Sequence, residues 1–404
     1  MKKLGAYQVY LIMEGASAMI MSMIFTASAV YQVTLAGLTP IQLVLVGTTL
    51  ELSAFIFEVP TGVIADVYSR RLSVIIGLIM IGLGFVVEGS FPIFWVILLA
   101  QVLWGLGYTF TSGATQAWIT DEIGEAEAGK AFLRSSQLGQ ILSLLGIGAG
   151  IALGSLAVNI PIQIGGLSLI LLAVYLITVM PETGFTPISE KERSTWQNMW
   201  QTFRGGVAAI KGRPGLITVL GIGLIYGLYS EGLDRLWTKH LLDNFSSPMG
   251  GALKPVVWIG MIRAVGMLMT AGATGIVRGR MDTQDQKSMA KFLFALSFIL
   301  LLSLFGFALT TSLVAAVLAF LVGYITRMVI GPLYTAWVNQ RLDSRVRATV
   351  LSMSSQVDAI GQVVGGPGVG LLGSLVSVRA ALVASSLILS PVMFLYRRLI
   401  RRIE

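Results

Sequence analysis

Cysteine is absent from the 404 residues, and histidine occurs once, at His240. Disulfides, thiol nucleophiles and thiolate metal sites are thereby excluded, and a single imidazole does not make a metal cluster. Charge is scarce too: 12% of residues are Asp, Glu, Lys or Arg, against 55% hydrophobic. The mean hydropathy of +0.81 lies far from that of a soluble chain, which carries about twice this share of charge. No nucleophile stands with a base, and the glycine strings lack the strand-turn-helix setting of a phosphate loop, so neither an enzyme nor a cofactor is expected. The net charge of +8 does not point to nucleic acid, because Lys and Arg punctuate apolar runs and gather on no face.

What is present is a series of apolar runs that pass the ~20 residues an α-helix needs to cross a bilayer and lack the alternation of barrel strands. The fold class is therefore an all-α membrane protein. Turn residues, charges and hydropathy breaks divide it into twelve spans, roughly 6–32, 41–65, 72–89, 92–120, 132–156, 160–180, 215–239, 255–277, 288–309, 312–338, 348–374 and 377–396. The first begins after Met1-Lys2-Lys3 and is too long for a leader h-region, contains Glu14, and reads as a span. With a cytoplasmic N-terminus, the inner loops hold most of the basic residues, and the other side keeps Arg235, Lys239, Lys254 and Arg379. That asymmetry follows the positive-inside rule, placing both termini in the cytoplasm and the chain in the cytoplasmic (inner) membrane.

The longest connection splits the spans six and six. Residues 1–181 form one expected bundle, 182–213 a cytoplasmic linker, and 214–404 the second bundle. In the linker, Ser189-x-x-Glu192 reads as a capping box, and Trp196, Met199, Trp200, Phe203, Val207 and Ile210 recur at helical spacing. Either an interfacial helix or a linker helix packed on the bundle ends satisfies that pattern. The bundles repeat: an offset of 219 residues carries Ala117-Trp118 onto Ala336-Trp337 and Ser135-Ser136-Gln137 onto Ser354-Ser355-Gln356. It also carries Gly146 onto Gly365 and Gly154-Ser155-Leu156 onto Gly373-Ser374-Leu375. Twofold repeats of six spans are a transporter architecture with substrate held near the membrane midplane.

Between spans two and three stands Gly62-x-x-x-Asp66-x-x-x-Arg70-Arg71. Together with twelve spans, two related halves and a long central loop, it resembles the signature of the major facilitator superfamily (MFS), over essentially the whole chain. The resemblance implies the MFS fold of two pseudo-symmetric six-helix bundles and transport by alternating access. It also implies a cytoplasmic gate at Gly62, Asp66, Arg70 and Arg71 that locks the outward-facing state. Physically, Gly62 permits close helix approach, Asp66 can face a cation or a helix N-terminus, and the arginines can pair with Asp121 or Glu122 at the end of span four. Ordinary positive-inside charge accounts for the arginines but not for Asp66. Val67 and Ser69 depart from the family pattern, and Gln101 stands in span four where the family's drug exporters carry arginine.

A carboxylate at membrane depth costs several kcal/mol unless paired, protonated or water-lined, so each marks a site. Glu14 lies mid-span, and the resemblance implies that spans one, four, seven and ten line the cavity. Glu51 and Glu58 share a face of span two, where Glu58 can instead serve backbone groups freed by Pro60. Arg327 and Asp358 fall at similar depth and are expected to neutralise one another; an Arg327 facing the cavity would favour an anion. Glu231, Asp234, Arg235 and Arg263 form an expected outer-side charge cluster. Gly146, Gly150 and Gly154 of span five and the glycines of span eleven are expected to let those spans approach each other across the halves. Tyr31, Gln101, Tyr108, Tyr226, Tyr229 and Tyr324 are candidates for the cavity wall. The expected function is proton-coupled efflux of lipophilic or cationic compounds by a monomer whose partners are its small-molecule substrate, protons and the lipid bilayer. The alternative is transport of a defined metabolite, sugar or lipid, including an anionic one.

Overall fold

The computed structural model describes residues 4–187, 204, 214–280, 285–340 and 344–403. Among these every regular element is helical. In the first half lie α1 (Ala6–Thr34), α2 (Pro40–Val67), α3 (Arg70–Ser90), α4 (Phe94–Thr111), α5 (Ala114–Ile123), α6 (Glu125–Leu156) and α7 (Ile160–Val179). The second half holds α8 (Pro214–Asn244), α9 (Pro255–Arg280), α10 (Gln286–Leu309), α11 (Leu313–Gln340), α12 (Ser344–Leu375), α13 (Val378–Leu389) and α14 (Pro391–Ile403). The linker features from Ser189 to Ile210 lie outside the described residues.

Counting α4 with α5 and α13 with α14 as single traversals gives twelve long helices, eleven of them long and apolar enough to span. The twelfth, α12, falls short because Asp358 and a run of glycines dilute its apolar content. Large apolar side chains such as Leu133, Leu145, Leu171, Leu302 and Leu318 stand exposed, as lipid-facing positions must in a chain whose solvent is hydrocarbon. Gly113 breaks the fourth traversal at φ +74, a left-handed conformation that a side chain disfavours. The sixth helix starts seven residues ahead of expectation, at Glu125 instead of 132, because Glu125 and Glu127 favour a helix N-terminus outside the apolar run.

By contact the chain forms two compact units. Unit one takes the first-half helices together with Lys254–Gly260, and unit two takes the second-half helices together with Thr39–Thr48. The principal pairings repeat: α1 packs on α6 and α3 on α4, as α8 packs on α12 and α10 on α11. The two repeat tryptophans play matched parts. Trp118 and Trp337 are both buried, their indoles donating to Pro181 O at 2.7 Å and Gln286 O at 3.3 Å.

Part of the glycine series works within each half and part reaches the other half, as expected: a Cβ on Gly154 would lie 2.8 Å from Val256 of α9, and one on Gly366, Gly370 or Gly373 would lie 2.9–3.0 Å from Val44 or Pro40 of α2. A Cβ on Gly146 would lie 2.1 Å from Met19 O, and one on Gly150 2.7 Å from Met23 O, so these glycines seat α6 on α1. Gly361 and Gly365 seat α12 on α8 in the same way, at 2.6 Å from Leu224 O and 2.3 Å from Leu228 O. Glycine is demanded here by backbone proximity, which a bulkier neighbour cannot relieve. We predict that Gly146→Ala and Gly365→Ala each destabilise by about 1–3 kcal/mol through overpacking. Gly148→Ala, whose Cβ would meet nothing within 4 Å, leaves the melting temperature in detergent unchanged.

Candidate functional site

Each unit encloses a cavity. The one in unit one, about 340 Å³, is walled by Tyr10, Met13, Glu14, Ser17 and Met21 of α1, by α3, by Trp104, Tyr108 and Thr111 of α4, and by Thr115 and Gln116 of α5. The one in unit two, about 600 Å³, is walled by Tyr226, Tyr229 and Ser230 of α8, by Arg327, Tyr334 and Thr335 of α11, and by Ser354, Ser355, Asp358 and Gln362 of α12. The two are repeats of one another. At the offset of 219, Tyr10 maps to Tyr229, Ile81 to Leu300, Tyr108 to Arg327, Thr115 to Tyr334 and Gln116 to Thr335, each pair lining its cavity. The break of the fourth traversal at Ser112-Gly113 maps to Gly331-Pro332, and both stretches face their cavities. Interrupted helices beside a cavity supply backbone groups to a ligand that an intact helix would use up.

In unit two the guanidinium of Arg327 meets Asp234 with two parallel bonds, Nη1–Oδ1 at 2.5 Å and Nη2–Oδ2 at 2.8 Å, and lies 5.9 Å from the Tyr229 ring centroid. The expected Arg327–Asp358 pair is thus corrected. Asp358 instead accepts from Gln362 Nε2 at 2.8 Å. The fork of Arg matches a carboxylate only when both lie in one plane, and Asp234 of α8 offers that geometry. Losing Asp234 also dissolves the expected outer cluster. Glu231 pairs with Arg235 one turn on, Nε–Oε1 at 2.9 Å, directly beneath Gly47. Arg263 joins neither pair among the described residues, and its Nε is buried with no hydrogen-bond partner. The cavity wall is finished by hydroxyls: Tyr226 donates to Ser297 Oγ at 2.8 Å, and Tyr334 donates to Val219 O at 2.6 Å.

In unit one Glu14 faces the cavity and makes no hydrogen bond or ion pair with a described residue. Glu51 and Glu58 do not line either cavity, and Glu58 is exposed. Around the Asp66 motif, Arg70 pairs with Asp121 and reaches Asp66 at 4.0 Å. Of the two acids expected to receive the arginines, Asp121 takes Arg70, and Arg71 and Glu122 have other partners. Arg71 caps the end of α7 through Ile177 O, while Glu122 accepts from the amides and hydroxyl of Thr183 and Gly184. Glu182, which sequence reasoning passed over, binds Ser69 Oγ at 2.7 Å and Arg71 N at 2.9 Å. Gly62 has open space above its Cα, so close approach is not its use here. All the partners of Asp66, Arg70 and Arg71 named here lie within unit one.

Of the expected wall residues, Tyr108, Tyr226 and Tyr229 line cavities. Tyr324 stacks instead on Phe320 at 6.1 Å. Tyr31 and Gln101 belong to a buried cluster around Glu88, which is 1% exposed. Gln32 Nε2 donates to Glu88 Oε1 at 2.8 Å and Gln101 Nε2 to Oε2 at 2.9 Å, while Ser28 reaches Oε1 at 3.3 Å and Tyr31 donates to the Glu88 carbonyl. Sequence reasoning missed Glu88 because it stands two residues before the end of α3, where an acid reads as a span boundary. The signal was available in the polar residues Ser28, Gln32 and Gln101, each set in an apolar run.

Residues 10–366 match the Major Facilitator Superfamily. The chain belongs to the major facilitator superfamily. It is 22% identical over 365 residues to an uncharacterised MFS-type transporter, YxaM of Bacillus subtilis (strain 168), covering 88% of this chain and 86% of that one. Among solved structures, nucleoside transporter NupG superposes with TM-score 0.75 at 13% identity, covering 98% of this chain and 99% of NupG. An inward-facing, occupied bacterial homologue of the human lysosomal transporter Spinster gives 0.74 at 14% identity over 98% and 96%. A POT family transporter in complex with 5-aminolevulinic acid gives 0.72 at 12% identity over 98% and 96%. At these identities the likeness is one of fold.

The protein is thus a multi-pass membrane transporter of the MFS type, with a cavity in each repeat beside a helix that is broken at Gly113 in the first and carries Pro332 inside a continuous helix in the second. The Arg327–Asp234 fork is its most defined polar contact across a cavity wall. A double-mutant cycle on thermal stability with Arg327→Gln and Asp234→Asn is expected to return a coupling of about 0.5–3 kcal/mol. The same cycle with Asp358→Asn in place of Asp234→Asn is expected to return a smaller one.

Proposed function

We propose that this transporter exchanges protons for lipophilic or cationic compounds by alternating access, exporting them from the cytoplasm. One observation carries the reading: each repeat-related cavity wall carries one carboxylate that stands in no ion pair among the described residues. In unit one that acid is Glu14. In unit two it is Asp358; Arg327 of the same wall is held by Asp234, which stands outside the lining. A cavity wall with a carboxylate outside any ion pair favours a cation, or a proton in its place, so the two compete for the same carboxylate. Met13, Met21 and Trp104 supply the polarisable, apolar wall that an organic cation prefers. An inward-moving proton gains about 2.3 kcal/mol per 100 mV of membrane potential, which drives release. The excess of Lys and Arg on one side supports termini in the cytoplasm and residence in the inner membrane. We read the protein as a monomer with two six-helix domains, and the contact units support that division in outline.

A second reading rests on the larger cavity. Tyr226, Tyr334, Thr335, Ser354, Ser355 and Gln362 make it rich in hydroxyl and amide groups, which suits a polar metabolite; the fold neighbours include transporters of nucleosides and peptides. The Arg327 charge is spent on Asp234, which argues against an anion in either reading.

The experiment is proton movement in proteoliposomes holding a pH-sensitive dye, with a panel of lipophilic cations, neutral drugs and polar metabolites. Glu14→Gln and Asp358→Asn are each expected to reduce cation-driven proton flux at least tenfold. Glu127→Gln, which removes an exposed surface pair with Lys130, should leave it as in wild type. Flux that responds only to metabolites would move the assignment to the second reading, and flux untouched by both cavity variants would remove the carboxylates from the mechanism.

A further inference from the structure

The Glu88 cluster has no part in either cavity, and the repeat shows what the fold would accept in its place. At the offset of 219, Glu88 corresponds to Phe307 and Gln101 to Phe320. In unit one the pair is joined by a hydrogen bond of 2.9 Å; in unit two the same positions hold two phenyl rings with centroids 5.5 Å apart. The main chain is treated alike in both. The carbonyl of Glu88 accepts from Tyr31 of α1, and the carbonyl of Phe307 accepts from His240 Nε2 of α8 at 3.0 Å. An apolar pair therefore closes this junction of three helices in one repeat. In the other, the chain keeps a carboxyl that is 1% exposed and an amide equally buried. Replacing buried polar groups by apolar ones of similar size is often neutral or stabilising, so their retention asks for a reason other than packing.

A second feature of the cluster says what it is for. Gln101 Oε1 is buried with no hydrogen-bond partner, although the Nε2 of the same amide is bonded to Glu88. The cluster is one hydrogen short at the atom beside the carboxyl. A proton on Glu88 turns the carboxyl from acceptor into donor: when the Gln101 amide turns over, the new O–H donates to Oε1 and Nε2 takes the place that Oε1 leaves. We propose that Glu88, held by Ser28, Gln32 and Gln101, is a proton-binding site of unit one separate from the cavity carboxylates. Among the groups facing it are Tyr31, Gln32 and Ser28 from α1 and Gln101 from α4, while Asn159 and Gln163 of α7 donate to the carbonyl of Gly89 next to it. Tyr31 is the titratable one among them. The site lies at the end of unit one where α3 ends, two residues from exposed Ser90 and three from exposed Phe91, so the proton path to bulk water is short. It takes its proton from water without a substrate, and does not rest on the exchange reading above.

Infrared difference spectroscopy tests it on the purified protein in detergent, acidified from mildly alkaline to mildly acidic buffer with no substrate present. Wild type should gain a neutral-carboxyl absorption of one carboxyl that Glu88→Gln lacks and Glu14→Gln keeps. The paired variant Glu88→Phe with Gln101→Phe copies the second repeat and should fold, melt at or above the wild-type temperature, and lack the same absorption. The proposal is overturned if folded Glu88→Gln retains the full signal. It is equally overturned if neither the single nor the paired variant folds, since the carboxyl is then a packing requirement. Cation-driven flux in liposomes bears only on the exchange reading, so the two can fail separately.

Discussion

A carboxylate at hydrocarbon depth must be matched by a cation, wrapped in hydrogen bonds, or neutralised by a proton. The protein uses different answers in different places. Asp234 is matched by the fork of Arg327, and Glu231 by Arg235. Glu88 is wrapped by two amides and a hydroxyl. Glu14 faces an open cavity without a described partner. The first answer fixes helix to helix, as Arg327 ties α11 to α8. The last leaves charge available to whatever enters, which is why an acid of that kind is where a ligand and a proton can trade places.

The repeat gives this distribution its meaning. Two halves derived from one pattern keep their close helix pairs, their buried tryptophans and the place where a helix-disrupting residue, Gly113 or Pro332, faces the cavity. They diverge in the chemistry of the matched cavities. Tyr108 in one becomes Arg327 in the other, and the methionine and tryptophan wall of unit one becomes a wall of hydroxyls in unit two. Positions that hold backbones together are retained; positions that face open volume are free to differ. Gly146 and Gly365 illustrate the first class, since each meets a main-chain oxygen that cannot move aside.

Much of the architecture was legible in the sequence because hydropathy, charge asymmetry and helix length are properties of single segments. Each of the twelve expected spans begins or ends within a few residues of a helix seen, and two helices run seven residues beyond their apolar runs, the sixth from Glu125 and the last to Ile403. Pairing was less legible. Depth along a helix placed Arg327 level with Asp358, but a helix also has a rotation about its axis, and rotation turned the guanidinium toward Asp234. Arg71 was read as a gate charge, yet the linker following α7 returned Glu182 to its amide. Glu88 was hidden because a charge near the end of a span is the ordinary sign of a boundary. Such facts depend on three or more helices at once, and no single run of residues carries them.

Pro332 has no N–H, so the carbonyl of Met328, one turn back in α11, has no helical donor, and both residues line the larger cavity. That oxygen belongs to the main chain. Substitution at Met328 changes the side chain around it but leaves the acceptor in position, and a change at Pro332 restores its helical donor. Side chains across the cavity can therefore drift through many generations, altering which molecules are admitted, while one fixed anchor survives every exchange.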